Sequence, residues 1–142
     1  MRALGIDHGE RRVGVAISDD SKTLARPLTV IRPSAAAGNV LDALVDLISK
    51  LAAEEGSLDL VVVGVPRRLD GSPNERTKRV EEFVLALQKR TPITVVVEDE
   101  RLSSVEAESR LGLFHKSWRD RKALLDAASA AVILQDYLDR TR

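Results

Sequence analysis

The stretch LDLVVVGVP, residues 58–66, limits the possible folds more than any other part of this 142-residue chain. A short, continuously apolar run of this kind reads as a strand covered on both faces, as at the centre of a parallel sheet. The segments on either side of it read as helices. Before it, from about 39 to 54, Val40, Leu41, Leu44, Val45, Ile48 and Leu51 recur at helical spacing, and Gly56 supplies the stop. After it, Ser72, Pro73 and Glu75 match an N-cap, a first-turn proline and a capping-box acid, and Val80, Phe83, Val84 and Leu87 form the apolar stripe that follows.

The remaining segments fit around this strand. Residues 3–20, ALGIDHGERRVGVAISDD, carry Leu4, Ile6, Val13, Val15 and Ile17 at alternate positions, which reads as an antiparallel hairpin. TLARPLTVIR adds a third strand at an edge, where the missing N–H of Pro27 is tolerated. ITVVVEDE gives a fifth strand, and Ser103 with Glu106 begins a short helix to Gly112. LFHKSWRDRK reads as a loop, and ALLDAASAAVILQDYLDR closes the chain as a helix. The expected fold is α/β, with a mixed five-stranded sheet flanked by helices. Strands one to three are antiparallel, and strands four and five run parallel to strand one, with four beside one and five beyond it. Residues 1–142 are expected to form a single domain.

Composition narrows the chemistry. With no cysteine, thiolate zinc sites and cysteine nucleophiles are excluded. The only histidines are His8 and His115, so there is no HExxH motif and few ways to build a histidine triad. No apolar run approaches the roughly 20 residues that span a bilayer, and no signal-peptide pattern is present, so a cytoplasmic protein without membrane partners is expected. Any catalysis must lean on carboxylates.

Three carboxylate positions stand at the edges of segments expected to be buried: Asp7 at the end of strand one, the pair Asp99 and Glu100 at the end of strand five, and Asp126 in the apolar opening of the last helix. Desolvating an unpaired carboxylate costs several kcal/mol, so each needs a raised pKa or a cation. A divalent cation such as Mg²⁺ or Mn²⁺ suits a hard oxygen donor set of this kind, and the chemistry it points to is phosphodiester hydrolysis. Each acid also has a plainer reading. Asp7 and Asp99 could be turn residues, Glu100 could cap the helix that follows, and Asp126 could pair with Arg119, Arg121 or Lys122.

GIDHGERRVGVAISD, VVVGVPRRLDGS, DERLSSVEA and LDAASAAVILQDYLD, in that order and over nearly the whole chain, resemble the motifs of the YqgF/RuvX family. The resemblance implies an RNase H-like fold, similarity to Holliday-junction resolvases, and a nuclease that matures the 5′ end of pre-16S rRNA. It puts the catalytic and metal-binding acids at Asp7, Glu100 and Asp126, with Asp99 as a substitute for Glu100. Where the family usually has Thr or a small polar residue after its DxG, this chain has Glu10. Glu98 and Asp70 are the nearest guesses for a fourth acid.

The expected partner is nucleic acid, either pre-rRNA or branched DNA. Lys116, Trp118, Arg119, Arg121 and Lys122 combine cations with an aromatic that can stack on a base, while Arg67, Arg68, Arg76, Arg79 and Arg101 flank the acids if the sheet closes as expected. A Holliday-junction resolvase would require a homodimer with two active sites at a set spacing. A catalytically silent nucleic-acid-binding module and an actin-like phosphotransferase are the other rivals.

Overall fold

The computed structural model describes residues 1–34, 38–66, 70–99 and 118–141, the last segment by its backbone alone as far as 126. Strands β1 (Arg2–His8), β2 (Val13–Ser18) and β3 (Ala25–Ile31) form the expected meander, followed by α1 (Val40–Ala53), β4 (Leu58–Val65), α2 (Glu75–Arg90), β5 (Thr94–Asp99) and α3 (Trp118–Thr141). The sheet has five strands in the order β3-β2-β1-β4-β5. β1–β2 and β2–β3 are antiparallel, and β1–β4 and β4–β5 are parallel. This is the arrangement expected from the sequence. At the β3 edge the register shifts next to Pro27, so a bulge absorbs the ladder bond that proline cannot donate.

The two faces of the sheet are dressed differently. Leu4, Ile6, Val13, Val15, Ile17, Val61, Val63 and Val95 pack under α1 and α2. Ala3, Ala16 and Val62 pack with Ala130, Ile133, Leu134 and Leu138 of α3. The residues facing α3 are small because the helix lies close: a Cβ on Gly5 would stand 2.7 Å from the Leu134 Cβ and 2.8 Å from the Ala130 carbonyl oxygen. At the other end of this crossing, the Ala25 N–H donates to Gln135 Oε1 at 2.9 Å and Gln135 Nε2 donates to the Thr23 carbonyl at 2.9 Å. Ala25 pairs with Ser18, whose hydroxyl accepts the Ala3 N–H at 2.8 Å. Gly5 thus lies under the turn from 130 to 134, and position 135 sits beside the start of β3, which is level with Ala3. Toward its N-terminus, α3 climbs toward the C-terminal end of β1.

Two boundaries differ from expectation. The capping box of α2 is Asn74 with Thr77, not Ser72 with Glu75. Asn74 accepts the Thr77 N–H at 2.9 Å, and the Thr77 hydroxyl accepts the Asn74 N–H at 2.9 Å while donating to the Pro66 carbonyl. Ser72 is instead drawn into the preceding turn, where its N–H and hydroxyl both donate to Asp70. The last helix starts at Trp118 rather than Ala123, so Trp118, Arg119, Arg121 and Lys122 lie on a helix and not in a loop. Arg and Lys are good helix formers, and no Gly or Pro interrupts 118–122. The expected helix from Ser103 to Gly112 lies outside the described residues.

Candidate active site

Asp7 is the penultimate residue of β1, with Gly14 of β2 on one side of it and Gly64 of β4 on the other. Side chains alternate along a strand, so Asp7 shares the α3 face with Ala3 and Gly5, opposite Leu4 and Ile6. Neighbours in register share a face, and both neighbours of Asp7 lack a side chain. The two positions flanking Asp7 in this row are therefore bare backbone, at the C-terminal edge where open α/β sheets keep their ligands.

The same row continues to β5, where Gly64 pairs with Glu98. Thus Glu98 faces α3, as does Val96, which packs there. Asp99 pairs with Val65 and shares the opposite face with Val95, a member of the core under α1 and α2. By strand alternation Asp7 and Asp99 lie on different sides of the sheet. Glu98 is already matched: its carboxylate accepts from the Arg140 guanidinium of α3, and its side chain is only 12% exposed. Neither this pair nor the glycines beside Asp7 could be read from the sequence without the strand register.

Asp126 lies on α3, where nothing is described of its side chain. Its backbone position is informative, because 126, 130, 134 and 138 follow one another at four-residue steps, and Ala130, Leu134 and Leu138 are buried against the sheet. One turn of helix, about 5.4 Å, separates Ala130 above Gly5 from Asp126, and that turn runs toward the end of β1 that carries Asp7. Glu100 and Arg101, with Arg67, Arg68 and Lys116, lie outside the described residues. Among the described residues no group of three His, Asp or Glu side chains is gathered as a metal site. Asp7 itself, a hard carboxylate oxygen donor in a chain without thiolate, fits Mg²⁺ or Mn²⁺ in chemistry.

On the opposite face, His8 stacks on Phe83 of α2 with ring centroids 4.4 Å apart. Burial lowers the His8 pKa, and the nearby Arg76 and Arg79 charges lower it further, against a hydrogen bond to its own backbone that raises it. The imidazole is therefore neutral at neutral pH. Arg76 and Arg79 of α2 line a hollow beside the His8–Glu10 turn. The backbone of Trp118, Arg119, Arg121 and Lys122 forms the first turns of α3, N-terminal to Asp126.

Comparison with known proteins points the same way. A family model described as "RuvX: Holliday junction resolvase" matches residues 1–140. A protein of Halothermothrix orenii named "Putative pre-16S rRNA nuclease" is 40% identical over 139 residues, spanning 98% of this chain and 95% of that protein. A protein of the same name from Burkholderia ambifaria is 42% identical over 137 residues, covering 96% of this chain and 88% of that one. The structure of Thermus thermophilus RuvC in complex with a Holliday junction substrate superposes with a TM-score of 0.55 at 17% identity, covering 99% and 96% of the two chains. At that identity the likeness is one of fold. It agrees with the RNase H-like α/β sheet described above.

Proposed function

The chain belongs to the RuvX Holliday junction resolvase family, and from that membership we propose that it is a metal-dependent endonuclease that hydrolyses phosphodiester bonds in the 5′-end maturation of pre-16S rRNA. The observation that carries the reading is the row Gly14–Asp7–Gly64, one carboxylate on a floor cleared of neighbouring side chains at the C-terminal edge of the sheet. A bulky, anionic sugar-phosphate backbone can approach a carboxylate only where neighbouring side chains leave room. Strand alternation extends the set: positions 98 and 100 share a parity, so Glu100 would follow Glu98 on the face of Asp7. The α3 stripe would bring Asp126 from above.

In this reading Asp7, Glu100 and Asp126 hold Mg²⁺ or Mn²⁺, which when bound supplies activation of an attacking water and stabilisation of the leaving oxygen in an in-line displacement. The protein's own residues bind and orient the strand. Arg76, Arg79 and the basic first turns of α3 neutralise phosphates on either side of the edge, and Trp118 offers a face for an unpaired base. A ribosomal substrate would place the protein in the cytoplasm.

Cleavage of branched DNA is the second reading, favoured by the description of the family itself. The two differ in substrate shape, because a junction resolvase needs two sites held by a dimer. The test is a labelled 5′ leader of pre-16S rRNA against a synthetic four-way junction, at one salt concentration and with Mn²⁺ present. The leader should be cut by wild type and left intact by Asp7→Asn, which keeps its affinity for the leader in chelator. Paired, symmetric cuts in the junction with an untouched leader would establish the second reading. Full activity of Asp7→Asn on either substrate would remove Asp7 from the mechanism.

A further inference from the structure

Across the C-terminal edge of β1 from Asp7, the turn after the strand and the first turns of α2 enclose a small open hollow lined by His8, Gly9, Glu10, Arg76, Arg79 and Val80. Its wall is firm, since Val80 is 1% exposed and His8 is stacked on Phe83. Arg76 and Arg79 are three residues apart and so emerge on one side of α2. Arg2, Arg90 and Arg140 pair with Glu54, Asp42 and Glu98, but among the described residues no ion pair engages Arg76 or Arg79. Arg76 donates to the His8 carbonyl at 3.4 Å. Two guanidiniums that no described acid pairs, beside the one carboxylate of Glu10, line this concave surface, an arrangement that suits an anion.

We propose that this hollow is a phosphate subsite, gripping the nucleic-acid backbone one or two nucleotides from the bond cut beside Asp7. The strand would straddle the end of β1, with Asp7 on one face and Arg76 and Arg79 on the other. The proposal rests on the nuclease reading for the identity of its ligand, and it adds a fixed path for the strand. Glu10, exposed on the rim, opposes the phosphate and sets its affinity lower than the two arginines alone would give.

The test needs no cleavage. Oligoribonucleotides of the leader sequence, each with one methylphosphonate linkage that removes a single backbone charge, are titrated by fluorescence anisotropy in chelator. In wild type one linkage near the cut should weaken binding on the order of tenfold, as expected for a lost charge-assisted contact. In Arg76→Gln/Arg79→Gln that linkage should cost nothing, with the other linkages unchanged. Arg79→Gln alone, at an exposed position, should show an intermediate penalty and guards against a folding defect in the double variant. Glu10→Gln should tighten the unmodified strand and not the strand lacking that charge. A penalty profile left intact by the double variant, one lowered equally at every linkage, or a protein that binds no leader strand would each overturn the subsite. A protein with the expected profile but no nuclease activity would keep the subsite and lose the nuclease.

Discussion

At the C-terminal edge of the sheet, one residue's step along β5 decides whether an acid belongs to the site. Glu98 and Asp99 are neighbours in sequence, yet the register Gly64 with Glu98 and Val65 with Asp99 sends them to opposite faces. The sequence VVVEDE cannot make this choice, because its three valines suit either face and the phase appears only once β4 fixes the pairing. Asp7 was easier to read, since Leu4 and Ile6 set the phase of β1 by themselves. On the Asp7 face Glu98 is held by Arg140, and in the proposed site Glu100, two positions further on, would follow it there. Glu100→Gln should therefore lower the cleavage rate by more than about a hundredfold, beyond what changes outside the inner ligand set usually cost. Asp99→Asn, on the far face and exposed, should stay within about twofold of wild type, the scale of an ordinary surface change. Single-turnover cleavage of the leader by the two variants measures the difference. Equal losses would mean that the strand does not keep its alternation past Asp99, and the reverse order would return Asp99 to the site.

The elements themselves were largely legible, and the misreadings have local causes. α1 was legible from its uninterrupted apolar stripe, and the structure adds the N-cap, Asn39, whose side chain accepts the Asp42 N–H at 2.8 Å. For α2 two capping signals overlap within DGSPNERT, and the one that wins is tied to the fold: Thr77, fully buried, holds both Asn74 and the Pro66 carbonyl at the end of β4. Ser72 has no such anchor and folds into the turn with Asp70. What the sequence did not reveal is how closely α3 approaches β1. Nothing in GIDHG says that Gly5 lies under a helix more than a hundred residues away in the chain, yet a single methyl group there would collide with Ala130 and Leu134. Gly5→Ala should consequently destabilise the fold by about 1–3 kcal/mol, the usual cost of overpacking a tight contact, because a backbone carbonyl must give way as well as a side chain. It should also weaken Mn²⁺-dependent cleavage, since a displaced α3 carries Asp126 with it. Chemical denaturation and cleavage measured on the same preparation test both effects. A variant as stable and as active as wild type would show that α3 has slack against β1, and would remove the basis for placing Asp126 over Asp7.

Across the whole molecule, the acids must be gathered without help from an overall positive charge, because 22 basic residues balance 22 acidic ones. Whether Asp126 serves a metal or an ion pair then has opposite consequences for stability. Suppose that Asp7, Glu100 and Asp126 face one another with no metal bound. Their mutual repulsion raises their pKa values above those of the unfolded chain, so at neutral pH they destabilise the fold. Removing one charge relieves this, and Asp126→Asn in chelator should be as stable as wild type or more so. Suppose instead that Asp126 pairs with Arg119, Arg121 or Lys122 in a buried contact. The same change then strands a cation and should cost about 3 to 5 kcal/mol. Metal addition gives an independent sign. Mn²⁺ at about a hundred times its Kd stabilises the folded state by roughly 2.7 kcal/mol through mass action, provided that the unfolded chain does not bind it, and a site short of one carboxylate should gain less. Four melting curves decide the matter: wild type and Asp126→Asn, each in chelator and in Mn²⁺. The metal reading requires an unchanged or raised Tm for the variant in chelator and a reduced response to Mn²⁺. A large drop in chelator together with an undiminished Mn²⁺ response would make Asp126 a structural residue. Asp7 and Glu100 alone would then be too few to hold the ion on which the proposed hydrolysis depends.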